Sequence, residues 1–298
     1  APAPAQVQVA PAGRASIDAA RGAILQTRAA GAPVVEEGPD LPAADADAPP
    51  DDEVVVFEPY YDAYAALVAL AGARLVTVPL RWPHFQPDLD ELTATVTDRT
   101  RIILINDPHN PTGTVFDRTV LEHVVALAER HDAIIVTDEV YEHLVYDDAP
   151  FTPVARIPGA RERTLTISSA AKTFRVTGWK IGWMTGPAEL IDHVLAVKQF
   201  TTYVNGAPFQ PAHAVGLGLP DSYFDEQRRS LQTRRDLLSD GLRAAGFRVI
   251  PSSGSYFVVA DAAPLGITDG AVAARGRHAA REEIFEFIEA ARAGQIFV

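Results

Sequence analysis

RIILINDPHNPTGTVFDRTVLEHVVALAERHDAIIVTDEVY, residues 101–141, holds the unit from which the fold is read. RIILIN (101–106) is an apolar run of the kind given by a strand buried on both faces of a parallel sheet. A turn rich in Pro and Asn follows. FDRTVLEHVVALAERH (116–131) then sets Phe116, Val120, Leu121, Val124 and Leu127 on one helical face. AIIVTDEVY (133–141) returns to a strand pattern. A strand, a helix and a second strand in this order predict a mostly parallel sheet with helices on both faces.

The same alternation extends in both directions. Val54 to Phe57 reads as a strand, Tyr61 to Ala71 as a helix, LVTVPL (75–80) as a strand and DLDELTATV (88–96) as a helix. Downstream, TLTIS (164–168) is another strand, and beyond Pro187 helices are expected over Ala188–Phe200 and Asp225–Ala245. GFRVI (246–250) and SYFVVAD (255–261) read as strands of a second, smaller domain. Residues 1–52 are rich in Ala, Pro, Asp and Gly, and a stretch such as GPDLPAADADAPPDDE lacks the apolar surface needed to pack. Only Ser16 to Ala30 there has a helical pattern, with Ser16 as N-cap. The expected organisation is a poorly ordered or divergent segment over 1–52, a large α/β domain over 53–187, and an interdomain helix with an incomplete small α+β domain over 188–298.

Composition narrows the classes of function. With 298 residues, 47% hydrophobic and 22% charged, the chain reads as a soluble globular protein. It has no apolar run of membrane-spanning length. A formal net charge of −13 argues against a nucleic-acid partner. Cysteine is absent, which excludes disulfides and thiolate chemistry and makes the cytoplasm the expected compartment. The opening APAPAQVQVA lacks the basic and apolar regions of a signal peptide, and the eight histidines show no metal-ligand spacing.

In a parallel α/β sheet, ligands bind beyond the carboxyl ends of the strands. That rule selects NDPHNPTG (106–113), TDEVY (137–141) and SSAAK (168–172), which are expected to meet at one edge. Within TLTISSAAKTFRVTGWKIGW (164–183), Lys172 stands in a turn directly after a buried strand. Burial there favours the neutral amine, a nucleophile. An acid, a phenol, an amide and a lysine at one edge suit pyridoxal phosphate, whose aldehyde takes an amine and whose ring nitrogen takes an anion. Asp138 is the anion for the ring nitrogen, and Tyr141 and Asn110 are donors to the phenolic oxygen. Each residue alone has a plainer structural reading: Asp138 as a helix cap, Asn110 as an Asn-Pro turn, Tyr141 and Tyr61 as core aromatics. Their joint spacing favours the cofactor. Gly178 and Gly182 read as positions of close backbone approach.

These motifs resemble those of the class I and II aminotransferases, pyridoxal-phosphate enzymes of fold type I. NDPHNPTG resembles their NPxNPTG turn, TDEVYEHLVYD the end of their DEVY strand, and SSAAKTFRVTGWKIGW their lysine block. The resemblance covers roughly residues 53–265, and within the family is most similar to kynurenine and glutamine aminotransferases and to actinobacterial N-succinyldiaminopimelate aminotransferases. It implies that Lys172 is the Schiff-base lysine and proton shuttle, that Ser169 and Lys180 bind the phosphate, and that Tyr61 stacks on the pyridine ring. It further implies transfer of an amino group from an amino acid to a 2-oxo acid, by a homodimer. The chain departs from the family pattern at both ends. Residues 1–52 show no glycine-rich phosphate turn, and Arg275, Arg277, Arg281 and Arg292 match no carboxylate-binding strand. A catalytically impaired member and a β-lyase on the same cofactor are therefore the alternative expectations.

Overall fold

The structure, a computed structural model, describes residues 9–10, 52–204 and 206–267. The helix expected at Ser16–Ala30 and the four arginines from Arg275 to Arg292 lie outside the described residues.

One seven-stranded sheet organises the chain, in the order β1-β7-β6-β5-β4-β2-β3. The strands are β1 (Val9–Ala10), β2 (Glu53–Glu58), β3 (Arg74–Pro79), β4 (Thr100–Asn106), β5 (Ile134–Asp138), β6 (Thr164–Ser169) and β7 (Gly182–Thr185). Strands β3, β2, β4, β5 and β6 run parallel. β7 is antiparallel to both β6 and β1. The apolar runs are buried on both faces because successive side chains point to opposite sides. Val55, Phe57, Ile103, Ile105 and Ile135 enter one core, whereas Val54, Val56, Ile102, Leu104 and Val136 enter the other.

Helices cover each face. On the first lie α2 (Leu89–Thr95) and α3 (Arg118–Arg130), which deliver Leu92, Val120, Leu121, Val124 and Leu127. On the second lie α1 (Ala63–Leu70) and, later in the chain, α5 (Ala188–Thr201), through Tyr64, Val68 and Val194. The Asp88 carboxylate caps α2, accepting from the N–H groups of Asp90 and Glu91 at 3.0 and 2.9 Å, a bond worth about 1 kcal/mol. Between β6 and β7 runs a single helical turn, α4 (Ala170–Thr173). α6 (Gln210–Leu217) and the long α7 (Asp221–Ala244) follow α5.

Two expectations are corrected. Phe116 precedes α3 rather than belonging to it, yet it fills the same core. The expected strands GFRVI and SYFVVAD shrink to β8 (Arg248–Val249) and β9 (Ala260–Asp261), paired antiparallel. The residues between are held elsewhere. Tyr146 N–H donates to Ser253 O, Ser255 N–H to Leu144 O, and the Tyr146 hydroxyl to Ser255 O. These bonds draw residues 253–255 against the turn after β5 and leave Tyr256 and Phe257 beside Tyr141.

Candidate active site

The parallel strands end along one edge, and β2, β4, β5 and β6 or the turns after them each bring a side chain to a cavity there. Asp138 is the last residue of β5, and Ser169 the last of β6. Asn110 lies in the loop after β4, Tyr141 in the turn after β5, Lys172 in α4. Lys180 occupies a left-handed position, φ 55°, just before β7. Tyr61 stands just ahead of α1. All seven line one cavity of about 270 Å³, together with Asn106, Tyr64 and Tyr256.

Hydrogen bonds set the cavity floor. The Asn106 side chain donates to the Asp138 carbonyl at 2.8 Å and accepts from Asn110 N–H at 2.7 Å. The loop bearing Asn110 is thereby tied to the strand bearing Asp138. The Asp138 carboxylate accepts from the Tyr64 hydroxyl at 2.8 Å and from Val140 N–H at 3.3 Å. Burial pushes the Asp138 carboxyl above the usual carboxylate range, opposed by Tyr64, the Val140 N–H and the positive charge of Lys172. Burial, together with Asp138, pushes the Tyr64 hydroxyl well above its ordinary range and keeps it a donor. Tyr141 is likewise raised, by burial first and Tyr256 second. The Lys172 Nζ lies 5.5 Å from the centre of the Tyr256 ring and 6.0 Å from that of Tyr141.

Residues 41–286 match the family model described as aminotransferase class I and II. The chain belongs to the class I and II aminotransferases. It is 52% identical over 222 residues to "Probable N-succinyldiaminopimelate aminotransferase DapC" of Mycobacterium tuberculosis, covering 74% of this chain and 56% of that protein. Kynurenine--oxoglutarate transaminase 3 of Rattus norvegicus is 39% identical over 237 residues, covering 73% of this chain and 52% of the relative. The solved N-succinyldiaminopimelate aminotransferase from Mycobacterium tuberculosis superposes with a TM-score of 0.77 at 45% identity, over 90% of this chain and 64% of that one. The chain thus spans about half the length of the curated relatives it matches.

Class I and II aminotransferases are pyridoxal-phosphate enzymes, and the side chains of this member fit that group. The Asp138 carboxylate is buried, with donors on both oxygens that favour its ionised form. At the other end, the Ser169 hydroxyl makes no capping bond and has no protein partner among the described residues. Among those residues the Lys180 ammonium is in no ion pair, so a cation and a hydroxyl stand free for an anion. Tyr61, 42% exposed, offers an accessible ring at the cavity mouth.

Two residues that line this cavity were missed by sequence reasoning. Tyr64 follows Tyr61 by three residues, a spacing that puts both on one side of a helical turn, so the signal was present in FEPYYDAY. Tyr256 had no local signal; the chain returns it from beyond α7. Gly178 is corrected: its φ is not left-handed and an added Cβ would meet nothing within 4 Å.

Proposed function

We propose that the chain is a pyridoxal-phosphate-dependent aminotransferase that moves an amino group from an amino acid to a 2-oxo acid, of the N-succinyldiaminopimelate or kynurenine and glutamine type. The observation that carries this reading is the convergence of Lys172, Asp138, Tyr141, Asn110, Ser169, Lys180 and Tyr61 on one cavity. When bound, the cofactor supplies an aldehyde that takes amines and a ring that accepts electron density. Lys172 would be the amine that holds that aldehyde. When free, its Nζ would serve as the base that takes the proton from the substrate α-carbon and as the acid that delivers the same proton to the cofactor carbon bearing the nitrogen. Asp138 would hold the ring nitrogen of the bound cofactor in its protonated form, and Tyr64 orients the Asp138 carboxylate through its hydroxyl. Tyr141 and Asn110 would donate to the phenolic oxygen, Ser169 and Lys180 would hold the phosphate, and Tyr61 would pack on the ring.

A homodimer belongs to the same reading. It is supported by the large apolar side chains exposed along residues 200–217, Phe200, Tyr203, Val204, Val215 and Leu217. Among the described residues no helix is long and apolar enough to cross a membrane. The cytoplasmic setting expected from the cysteine-free composition remains part of this proposal.

The test is reconstitution. Purified chain is incubated with pyridoxal phosphate, reduced with borohydride and mapped by peptide mass spectrometry, then assayed with a panel of amino donors and 2-oxoglutarate. Attachment at Lys172, keto-acid formation by the parent and loss of both in Lys172→Ala support the proposal. Turnover retained by Lys172→Ala would sink it. Attachment without transfer returns the impaired-member reading, and ammonia with pyruvate from a β-substituted donor returns the lyase.

A further inference from the structure

A second cavity, of about 590 Å³, opens at the opposite end of the sheet from Lys172 and shares no residue with the first. β6 begins in one and ends in the other. Thr164 lines the new space and Ser169 the first, and an extended run of that length spans roughly 17 Å. A substrate reacting at Lys172 therefore does not reach it. Its volume is that of a small-molecule site.

The lining is polar for a structural reason. Leu165 and Ile167 turn into one core, so Thr164 and Thr166 face the other side of β6, where Thr185 of β7 stands opposite Thr166. The segment between β5 and β6 crosses that side in two short helical turns, Val154–Arg156 and Arg161–Arg163. Val154, Ile157 and Ala160 are buried in the core there, and Val154 N–H donates to the Glu139 carboxylate at 3.0 Å. This anchoring fixes the backbone from which Arg156 and Arg161 line the cavity.

The chain carries a formal net charge of −13, yet neither Arg156 nor Arg161 has an ion pair or a side-chain hydrogen bond among the described residues. Glu162 also lines the space and pairs with neither. The Thr164 hydroxyl is engaged on Ala160 O at 2.7 Å, whereas those of Thr166 and Thr185 have no partner among the described residues. Two guanidinium groups and two hydroxyls are donors suited to one oxyanion, and the guanidinium fork matches phosphate in particular. We propose that this cavity binds a small phosphorylated molecule: Arg156 and Arg161 receive the phosphate dianion, and Thr166 and Thr185 donate to its remaining oxygens. The strongly negative chain around the site selects a compact ligand over a nucleic acid or an anionic membrane surface. Set apart from Lys172 by the length of β6, the ligand is an effector and not a substrate. This site goes beyond the aminotransferase reading and does not depend on it.

Isothermal titration calorimetry of the full chain at low ionic strength takes inorganic pyrophosphate as the probe and acetate as the carboxylate control. Pyrophosphate is expected to bind saturably and at least about tenfold more tightly than acetate, with affinity falling as salt is raised. Arg156→Gln and Arg161→Gln each reduce that affinity about tenfold, while Arg156→Lys retains part of it. Both arginines are exposed, and far-UV circular dichroism checks that the variants fold. Lys180→Gln separates this site from the cofactor's phosphate site: the binding that depends on Arg156 and Arg161 persists in that variant. Absence of saturable pyrophosphate binding, undiminished binding in the Arg156→Gln, Arg161→Gln double variant, or binding abolished by Lys180→Gln alone overturns the inference.

Discussion

Glu139, next in the chain to Asp138, is 2% exposed, and burial pushes its carboxyl from the ordinary 4.5 up to about 7. Asp107, Asp138 and Glu142 are the acidic groups around it, and burial raises Asp107 well above its usual range too. A carboxyl raised in the folded state makes that state bind a proton the unfolded chain has lost. Stability contributed by the protonated form is therefore complete below about pH 4.5 and is lost as pH rises toward 7. Each pH unit of that gap corresponds to about 1.4 kcal/mol, so the loss totals about 3 kcal/mol by pH 8. Glu139→Gln removes the charge and keeps an oxygen for Val154 N–H at 3.0 Å and the Thr137 hydroxyl at 3.2 Å. The variant is expected to be about 2–3 kcal/mol more stable than the parent at pH 8 and nearly equal to it at pH 5. Urea denaturation followed by tryptophan fluorescence at pH 5, 6, 7 and 8 measures this, with the slope in urea confirming that the same surface is exposed. Parallel pH profiles for the two proteins, or a variant less stable at pH 8, would refute the reasoning.

Tyr64→Phe removes the donor on Asp138 Oδ2; the bond is to a charged group, so about 1.5–3 kcal/mol is at stake. Fluorescence titration should show pyridoxal phosphate binding weakened roughly tenfold or more. Lys180→Gln should weaken pyridoxal phosphate but leave pyridoxal unaffected in the same titration, because only the former carries the anion. Gly113 has φ +69° and an added Cβ would sit 2.2 Å from that of Ser252. Gly113→Ala should lower stability by about 2 kcal/mol or more, whereas Gly178→Ala, in open space, should change it by less than about 1 kcal/mol; thermal denaturation of both separates the two cases.

Much of the site was legible in local sequence because a parallel sheet presents its strand ends together. Once RIILIN and AIIVTD are read as neighbouring buried strands, Asn110, Asp138 and Tyr141 fall at one edge without further information. Lys172 follows because β6 lies beside β5. Helix limits shifted by a residue or a turn, as frayed ends do. The small-domain strands were misread because SYFVVAD has the composition of a strand, whereas the Leu144 carbonyl and the Tyr146 hydroxyl capture its first residue, Ser255.

Sequence by itself determined the alternation of strand and helix, the two-faced core and the identity of the residues on the sheet edge. Those depend on periodicity and on short-range spacing, which the chain carries locally. Only the tertiary structure decided that Tyr64 holds Asp138, that Tyr256 returns across 84 residues to the wall beside Lys172, and that Arg175 and Arg234 share a cavity. Such contacts join elements far apart in the chain, and their partners are chosen by how whole helices and strands pack, which no local pattern encodes.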